Sequence, residues 1–305
     1  MDKTLAAIDI GSNSTNLLIV DQAGQTLQRI VRSTRLGANI GATGVLSVES
    51  MQRTLECLRE YESLIKKHNV SHRRTVATAA CRAAKNTGEF FAKVEKISGA
   101  APELITGEIE GALSFVGATS SFDDRISTLV VDIGGASTEL MVGTETLDFA
   151  VSMPFGAVNL TESELHRDPP RPEELTNAIS LVSDGVDDVA HNYPLIGEVE
   201  RVVGVAGTIV TVAAVEVGQK TFDLAALHKL TLSRDAVEDV FRTLATEPLR
   251  DRVFNPGLPR DRADIIVGGC CVLVAVMRRL QISEIVVSQY NLLDGLISEL
   301  RKKMS

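Results

Sequence analysis

No cysteine in this chain stands in a C-x-x-C pair or in any other metal-ligand or redox spacing. The four present are Cys57, Cys81, Cys270 and Cys271, and the last two lie side by side in an apolar run, where a thiol acts as a small hydrophobe. All four are expected to be reduced thiols of a cytoplasmic protein. The five histidines also lack metal-binding spacing. Positive charge is scarce: Lys and Arg number 31 against 40 Asp and Glu, a formal net charge of −9. That balance argues against general nucleic-acid binding, whose usual footprint is a basic surface. Long apolar runs are missing too. The longest, residues 265–277, is too short to span a bilayer and reads as a buried helix. The first residues have no basic start or cleavage site, so no secretory leader is expected. With little proline, 44% hydrophobic and 23% charged residues, the composition is that of an ordinary globular protein. A length of 305 residues suggests two domains, each with its own core.

The pattern alternates strands and helices. Residues 5–10 and 16–20 are apolar strands around a Gly-Ser-Asn-Ser turn, which reads as a β-hairpin. A third strand is expected at 26–32, a helix at 47–68 with Ser47 or Ser50 as N-cap, and a strand at 75–78. Residues 79–85 read as a loop entering a helix. Helices follow at 89–98 and 108–118, separated by a strand at 103–105. The opening pattern then returns about 120 residues on, a period too long for a solenoid and suited to duplicated domains. Residues 127–133 form an apolar strand, 134–137 a turn, and 138–142 the next strand. A proline-rich loop at 168–172 precedes a helix, and 202–210 reads as strand, Gly-rich turn and helix. The C-terminal section alternates helices with one strand, 284–287. The class is α/β, with two domains and a cleft between them.

Each Asp-Ile-Gly turn places a carboxylate, Asp9 or Asp132, at the end of a buried strand. Small residues follow whose backbone N–H groups can point at an anion, and glycine permits the unusual dihedrals and the close approach such a turn needs. Ser12, Ser14, Ser137 and Thr138 add hydroxyls. One such turn alone reads equally as a hairpin with an Asp; two copies, each after an apolar strand, point to chemistry. A carboxylate beside a phosphate cradle calls for a cation, and Mg²⁺ is usually held by one or two carboxylates plus phosphates and water. Glu110 opens a helix, where the macrodipole favours a glutamate and where a carboxylate can also orient a water. Arg82 can grip a phosphate in bidentate fashion or lie on the surface. His72, Arg73 and Arg74 read as a solvated basic face. Glu139 either supports a metal through water or alternates outward on its strand.

The two turns resemble the phosphate loops of the actin, Hsp70 and sugar-kinase superfamily. The ordered set of Ile8 to Ser14, Arg35-Leu36-Gly37, Ala77 to Asn86, Thr106 to Ala112, Asp132 to Glu139, Gly204 to Thr208 and Arg262-Ala263-Asp264 resembles the exopolyphosphatase and guanosine pentaphosphate phosphatase (Ppx/GppA) family. This resemblance covers nearly the whole chain. Departures are Ala136 where the second loop usually has a third glycine, Ala38 in place of a common acidic residue, and Ser288-Gln289-Tyr290-Asn291 in place of a Ser-Glu or Ser-Asp start.

The resemblance implies two actin-like (ribonuclease H-like) domains, 1–124 plus 290–305 and 125–289. It implies an Mg²⁺-dependent exopolyphosphatase that releases terminal orthophosphate from inorganic polyphosphate. Glu110 and Asp132 are the implied catalytic residues, with Asp9, Asp132 and Glu139 on the metal. Gly11, Ser12, Asn13, Ser14, Arg82, Gly134, Gly135, Ala136, Ser137 and Thr138 bind phosphate, and Gly207 and Thr208 belong to a third loop. Hydrolysis of guanosine pentaphosphate is the alternative, since it cleaves the same kind of bond. A sugar or acid kinase and a guanosine tetraphosphate sensor are weaker readings. A cytoplasmic homodimer is expected, with no membrane or nucleic-acid partner. Long family members carry an extra C-terminal helical region; this sequence, ending at Ser305, is expected to cleave long chains distributively and short ones at least as efficiently.

Overall fold

The computed structural model describes residues 4–122 and 124–304. Residues 1–3, where no leader was expected, lie outside the described residues. The chain divides into two compact units, Met1–Gly117 with Leu292–Ser305, and Ala118–Asn291; the sequence placed these boundaries at 124/125 and 289/290.

Unit 1 opens with three strands, β1 (Leu5–Ile10), β2 (Ser14–Val20) and β3 (Thr26–Ser33). It continues through α1 (Ile40–Thr43), α2 (Val48–Lys67), β4 (His72–Ala77), α3 (Ala79–Ala83), α4 (Thr87–Ser98), β5 (Glu103–Leu104) and α5 (Gly107–Thr119). The sheet order is β3-β2-β1-β4-β5, antiparallel from β3 to β1 and parallel from β1 to β5. Central β1 is apolar almost throughout because both of its faces are covered. Helix α2 begins at Ser47, whose hydroxyl accepts from Ser50 N at 3.1 Å, and ends with Lys66 and Lys67 facing its negative pole. It buries Met51, Leu55, Leu58, Tyr61 and Ile65 against the sheet. The buried Tyr61 hydroxyl donates to Thr15 O at 2.8 Å, fixing helix to strand.

Strand β4 starts at His72, earlier than the 75–78 expected, and its arginines correct the reading of a solvated basic face. Arg73 pairs with Glu62, and Arg74 pairs with Glu299 and, at 2.9 Å, with Glu103. Three elements supply carboxylates to these two cations, so the basic run ties the sheet to its helices.

Unit 2 repeats the plan with β6 (Thr128–Ile133), β7 (Thr138–Gly143) and β8 (Leu147–Met153). Then come α6 (Ala157–Glu164), α7 (Pro172–Asn192), β9 (Arg201–Val205), α8 (Ala206–Glu216), α9 (Leu224–Leu227), β10 (Thr231–Ser233), α10 (Arg234–Thr246), α11 (Leu249–Arg252), α12 (Ile266–Arg279) and β11 (Glu284–Val287). Its order, β8-β7-β6-β9-β11-β10, matches unit 1 strand for strand, with β10 added at one edge. The sequence had not marked β8 and had allowed only one strand near the end; β10 is a second. Helix α12 is the apolar run read as a buried helix, with every residue from Ile266 to Met277 buried. Among the described residues, no helix is long and apolar enough to cross a membrane. The last helix, α13 (Leu292–Lys302), belongs to unit 1. Its Leu292, Leu293, Leu296 and Ile297 share a core with Leu5, Ala7, Leu18, Val20 and Val76. The chain is therefore α/β, built as two halves that share one strand plan.

Candidate active site

The first turn of unit 1 is set by the β1–β2 register, which pairs Ile10 with Thr15 and Asp9 with Asn16. Gly11 N donates to Ser14 O at 2.9 Å and closes the turn. The duplicate turn does the same, with Gly134 N donating to Ser137 O at 2.9 Å and Asp132 paired with Glu139. Neither Gly11 nor Gly134 has a positive φ, which corrects the expectation of unusual dihedrals. What the turns require is room: a β-carbon would fall 3.0 Å from Ser14 O or 3.1 Å from Ser137 O. Ala136 is likewise outside the left-handed region, so its methyl group carries no backbone strain.

Behind each turn the carbonyls are tied down. In unit 1, Thr34 N and Arg35 N donate to Asn13 O, and Gly37 N donates to Ser12 O at 2.8 Å. The Arg35-Leu36-Gly37 segment is thus the backing of the first loop. In unit 2 the start of α6 has this task. Ala157 N donates to Gly134 O at 2.9 Å, Val158 N to Gly135 O at 2.8 Å, and Asn159 Nδ2 to Ala136 O at 2.8 Å. A trans peptide points its C=O and N–H in opposite directions. With three successive carbonyls turned toward α6, the N–H groups of Gly135, Ala136 and Ser137 face away from it, and none finds an acceptor among the described residues. That is an anion cradle of the backbone type. Gly156 lets α6 come this close, since a β-carbon there would fall 2.5 Å from the Gly135 carbonyl carbon. The Thr138 hydroxyl, expected to bind phosphate, donates instead to Phe155 O at 2.6 Å.

Three ionisable groups gather in unit 1. Arg82, on α3, donates through Nη1 to Glu110 Oε2 at 2.7 Å and to Ile105 O at 3.0 Å. Its Nε and Nη2 have no acceptor among the described residues. Burial pushes the Glu110 carboxyl above its ordinary range, and the Arg82 guanidinium pulls it back. Glu108, the neighbouring candidate, is exposed. Asp9 is pushed up to about 7, first by burial and then by the Glu110 charge, against the lowering effect of its Asn16 hydrogen bond. Asn16 Nδ2 donates to Asp9 Oδ2 at 2.9 Å. Asp9 Oδ1, Asn13 Oδ1 and Asn16 Oδ1 are buried and accept no hydrogen bond among the described residues. Buried oxygens without donors fit a cation, because an oxygen lone pair left dry and unpaired is costly. Among the described residues no cluster of three His, Cys, Asp or Glu side chains could cage a metal. This donor set therefore suits an ion that draws its remaining oxygens from substrate and water, as Mg²⁺ does.

In unit 2, Glu139 lies on the same face as Asp132, is only 4% exposed, and accepts from Ser152 Oγ at 2.8 Å. It does not point outward. In the third loop, Gly207 lies directly under the Arg262 guanidinium, where a β-carbon would fall 1.6 Å from Nη1, and Thr208 is buried against Gly269. Ala206 takes a left-handed φ of 66° to make this turn. Sequence reasoning passed over Asn16, Gly156 and Asn159. Only Asn16 had a legible signal, since a four-residue turn between paired strands sets it opposite Asp9.

Two repeated α/β halves, each with an Asp-tipped hairpin, a backbone anion cradle in unit 2 and a half-buried glutamate held by an arginine in unit 1 define a phosphate-handling enzyme. The chain belongs to the Ppx/GppA phosphatase family, whose model matches residues 18–304. Exopolyphosphatase 2 of Mycobacterium tuberculosis is 34% identical over 96% of this chain and 97% of its own length. A guanosine-5'-triphosphate,3'-diphosphate pyrophosphatase of Photobacterium profundum is 31% identical over 98% of this chain but 59% of its own. The crystal structure of an exopolyphosphatase-like protein superposes with a TM-score of 0.94 at 32% identity, covering 99% of this chain and 100% of that one.

Proposed function

We propose that this chain is an Mg²⁺-assisted exopolyphosphatase that hydrolyses the terminal phosphoanhydride bond of inorganic polyphosphate. The observation that carries the reading is the half-buried Asp9–Glu110–Arg82 group beside a hairpin loop with orphaned oxygens. Glu110 orients a water and accepts its proton as the water oxygen bonds to the terminal phosphorus. The bridging P–O bond breaks and the shortened chain leaves. Arg82 holds Glu110 with one nitrogen and offers its free edge to phosphate oxygens. In unit 1 the residues of loop 11–14 take phosphate, and in unit 2 the N–H groups of Gly135, Ala136 and Ser137 do so. In unit 1 Asp9 would hold Mg²⁺, and in unit 2 Asp132 and Glu139 are the carboxylates suited to that role. Bound there, the ion would neutralise charge on the phosphate oxygens.

Polyphosphate is the main reading because the mycobacterial exopolyphosphatase matches from end to end, whereas the guanosine-nucleotide pyrophosphatase is matched over little more than half its length. Cleavage of guanosine pentaphosphate remains the second reading on the strength of that same relative. A kinase would need room for a nucleoside at the third loop, and Arg262 fills the space over Gly207. The reading includes a cytoplasmic homodimer; four free, buried cysteines suit a reducing compartment, and sedimentation would measure the dimer. The deciding experiment measures phosphate release from short polyphosphate, long polyphosphate, guanosine pentaphosphate and ATP, with Mg²⁺ and with EDTA. Release from polyphosphate that needs Mg²⁺ is expected. Full activity in EDTA would remove the metal, and release from guanosine pentaphosphate alone would reverse the substrate.

A further inference from the structure

The β1–β2 register puts Asn16 directly across from Asp9, on the same face of the sheet. In an antiparallel pair such residues are near neighbours, and here they are bonded, Nδ2 to Oδ2 at 2.9 Å. An ionised carboxylate accepts only, so the amide must turn its N–H side to Asp9. One carboxylate oxygen is thereby occupied, and the other, Oδ1, is left buried without a donor. The amide's own Oδ1 is also buried and unpartnered. Unit 2 solves the same station differently: Glu139 stands opposite Asp132 and is itself held by Ser152.

We propose that Asn16 is the positioning residue of the unit 1 cation site: its amide clamps Asp9 Oδ2, so that Oδ1 alone is presented to a divalent ion. The inference rests on the reading of Asp9 as a metal ligand. Groups that orient a ligand in this way typically affect metal affinity by ~10–100-fold. The test is Mn²⁺ binding to the full chain without substrate, at pH 8, followed by the paramagnetic signal of the free ion. Asn16→Leu, which removes the donor at similar volume, is expected to weaken binding by ~10–100-fold with unchanged circular dichroism. Asn16→Val, a strand-forming residue without a donor, carries the same expectation should the leucine variant not fold. Asn16→His places a ring Nδ1–H where the amide nitrogen was and is expected to restore most of the affinity. In turnover, Asn16→Leu should raise the Mg²⁺ concentration needed for half activity by a similar factor. Parental Mn²⁺ affinity in the leucine and valine variants would overturn the proposal while leaving the Asp9 site intact. If the parent binds Mn²⁺ no better than Asp9→Asn does, the metal reading of Asp9 falls, and the role of Asn16 with it.

Discussion

Glu110 and Glu108 lie in the same first turn of one helix, yet burial and a guanidinium single out Glu110. Glu110→Gln keeps the size and loses the proton acceptor, so kcat should drop ~10²–10⁴-fold with KM little changed. Glu108→Gln should be nearly silent; steady-state kinetics of the pair would expose an assignment off by two residues. Asp9 gives a prediction about stability. Its folded pKa, about 7, lies above the ordinary 3.8, so between those values the folded state keeps a proton that the unfolded chain gives up. Stability therefore falls as pH rises across that window, and above it the buried charge weighs fully against the fold. Asp9→Asn carries no such charge. In cation-free buffer at pH 8 it should be more stable than the parent, by ~4 kcal/mol at ~1.4 kcal/mol per pKa unit. Urea denaturation should show that gap narrowing to roughly a third by pH 5 and closing only below about pH 4. The two Asp turns were legible because strand, Asp and small residues are contiguous. The grip of Arg82 on Glu110 was not, because the partners are 28 positions apart and only the β4–α3 and β5–α5 connections bring them together.

Helix α6 shows how an element can shape a site that it does not enter. Its first residues take the carbonyls of the second loop and so aim the loop's N–H groups. Gly156→Ala drives a methyl group into the Gly135–Ala136 peptide, and overpacking of this kind costs ~1–3 kcal/mol. The variant is expected to keep its circular dichroism and lose substrate affinity; an unchanged KM would mean that the loop is not held from behind. The elements that the sequence revealed are those whose pattern is their own, such as β1, β6, α2 and α12. Those it hid take their conformation from neighbours. Strand β8, Leu-Asp-Phe-Ala-Val-Ser-Met, forms as the edge partner of β7, and three-residue β10 exists only against β11. The start of β4 was missed because His-Arg-Arg reads as surface until Glu62, Glu103 and Glu299 are seen around it.

Across the whole molecule, unit 2 is one unbroken segment with its own large core, while unit 1 is made of two segments joined by α13. Expressed alone, Ala118–Asn291 is expected to melt cooperatively and to release no phosphate, since Glu110, Arg82 and Asp9 all belong to unit 1. Residues 1–117 alone should not fold cooperatively, because Leu292, Leu296 and Ile297 would be missing from the face formed by Leu5, Leu18, Val20 and Val76. Circular dichroism melts of both fragments would check this. The same arrangement has a consequence at the ribosome. The first sheet emerges early, but the helix that covers it is made only after unit 2. With roughly 170 residues intervening and synthesis at ~5–20 residues per second, that apolar face waits about ten to thirty seconds for its cover. During that interval the nascent chain shows a sticky surface that the finished enzyme never exposes, a natural target for a chaperone.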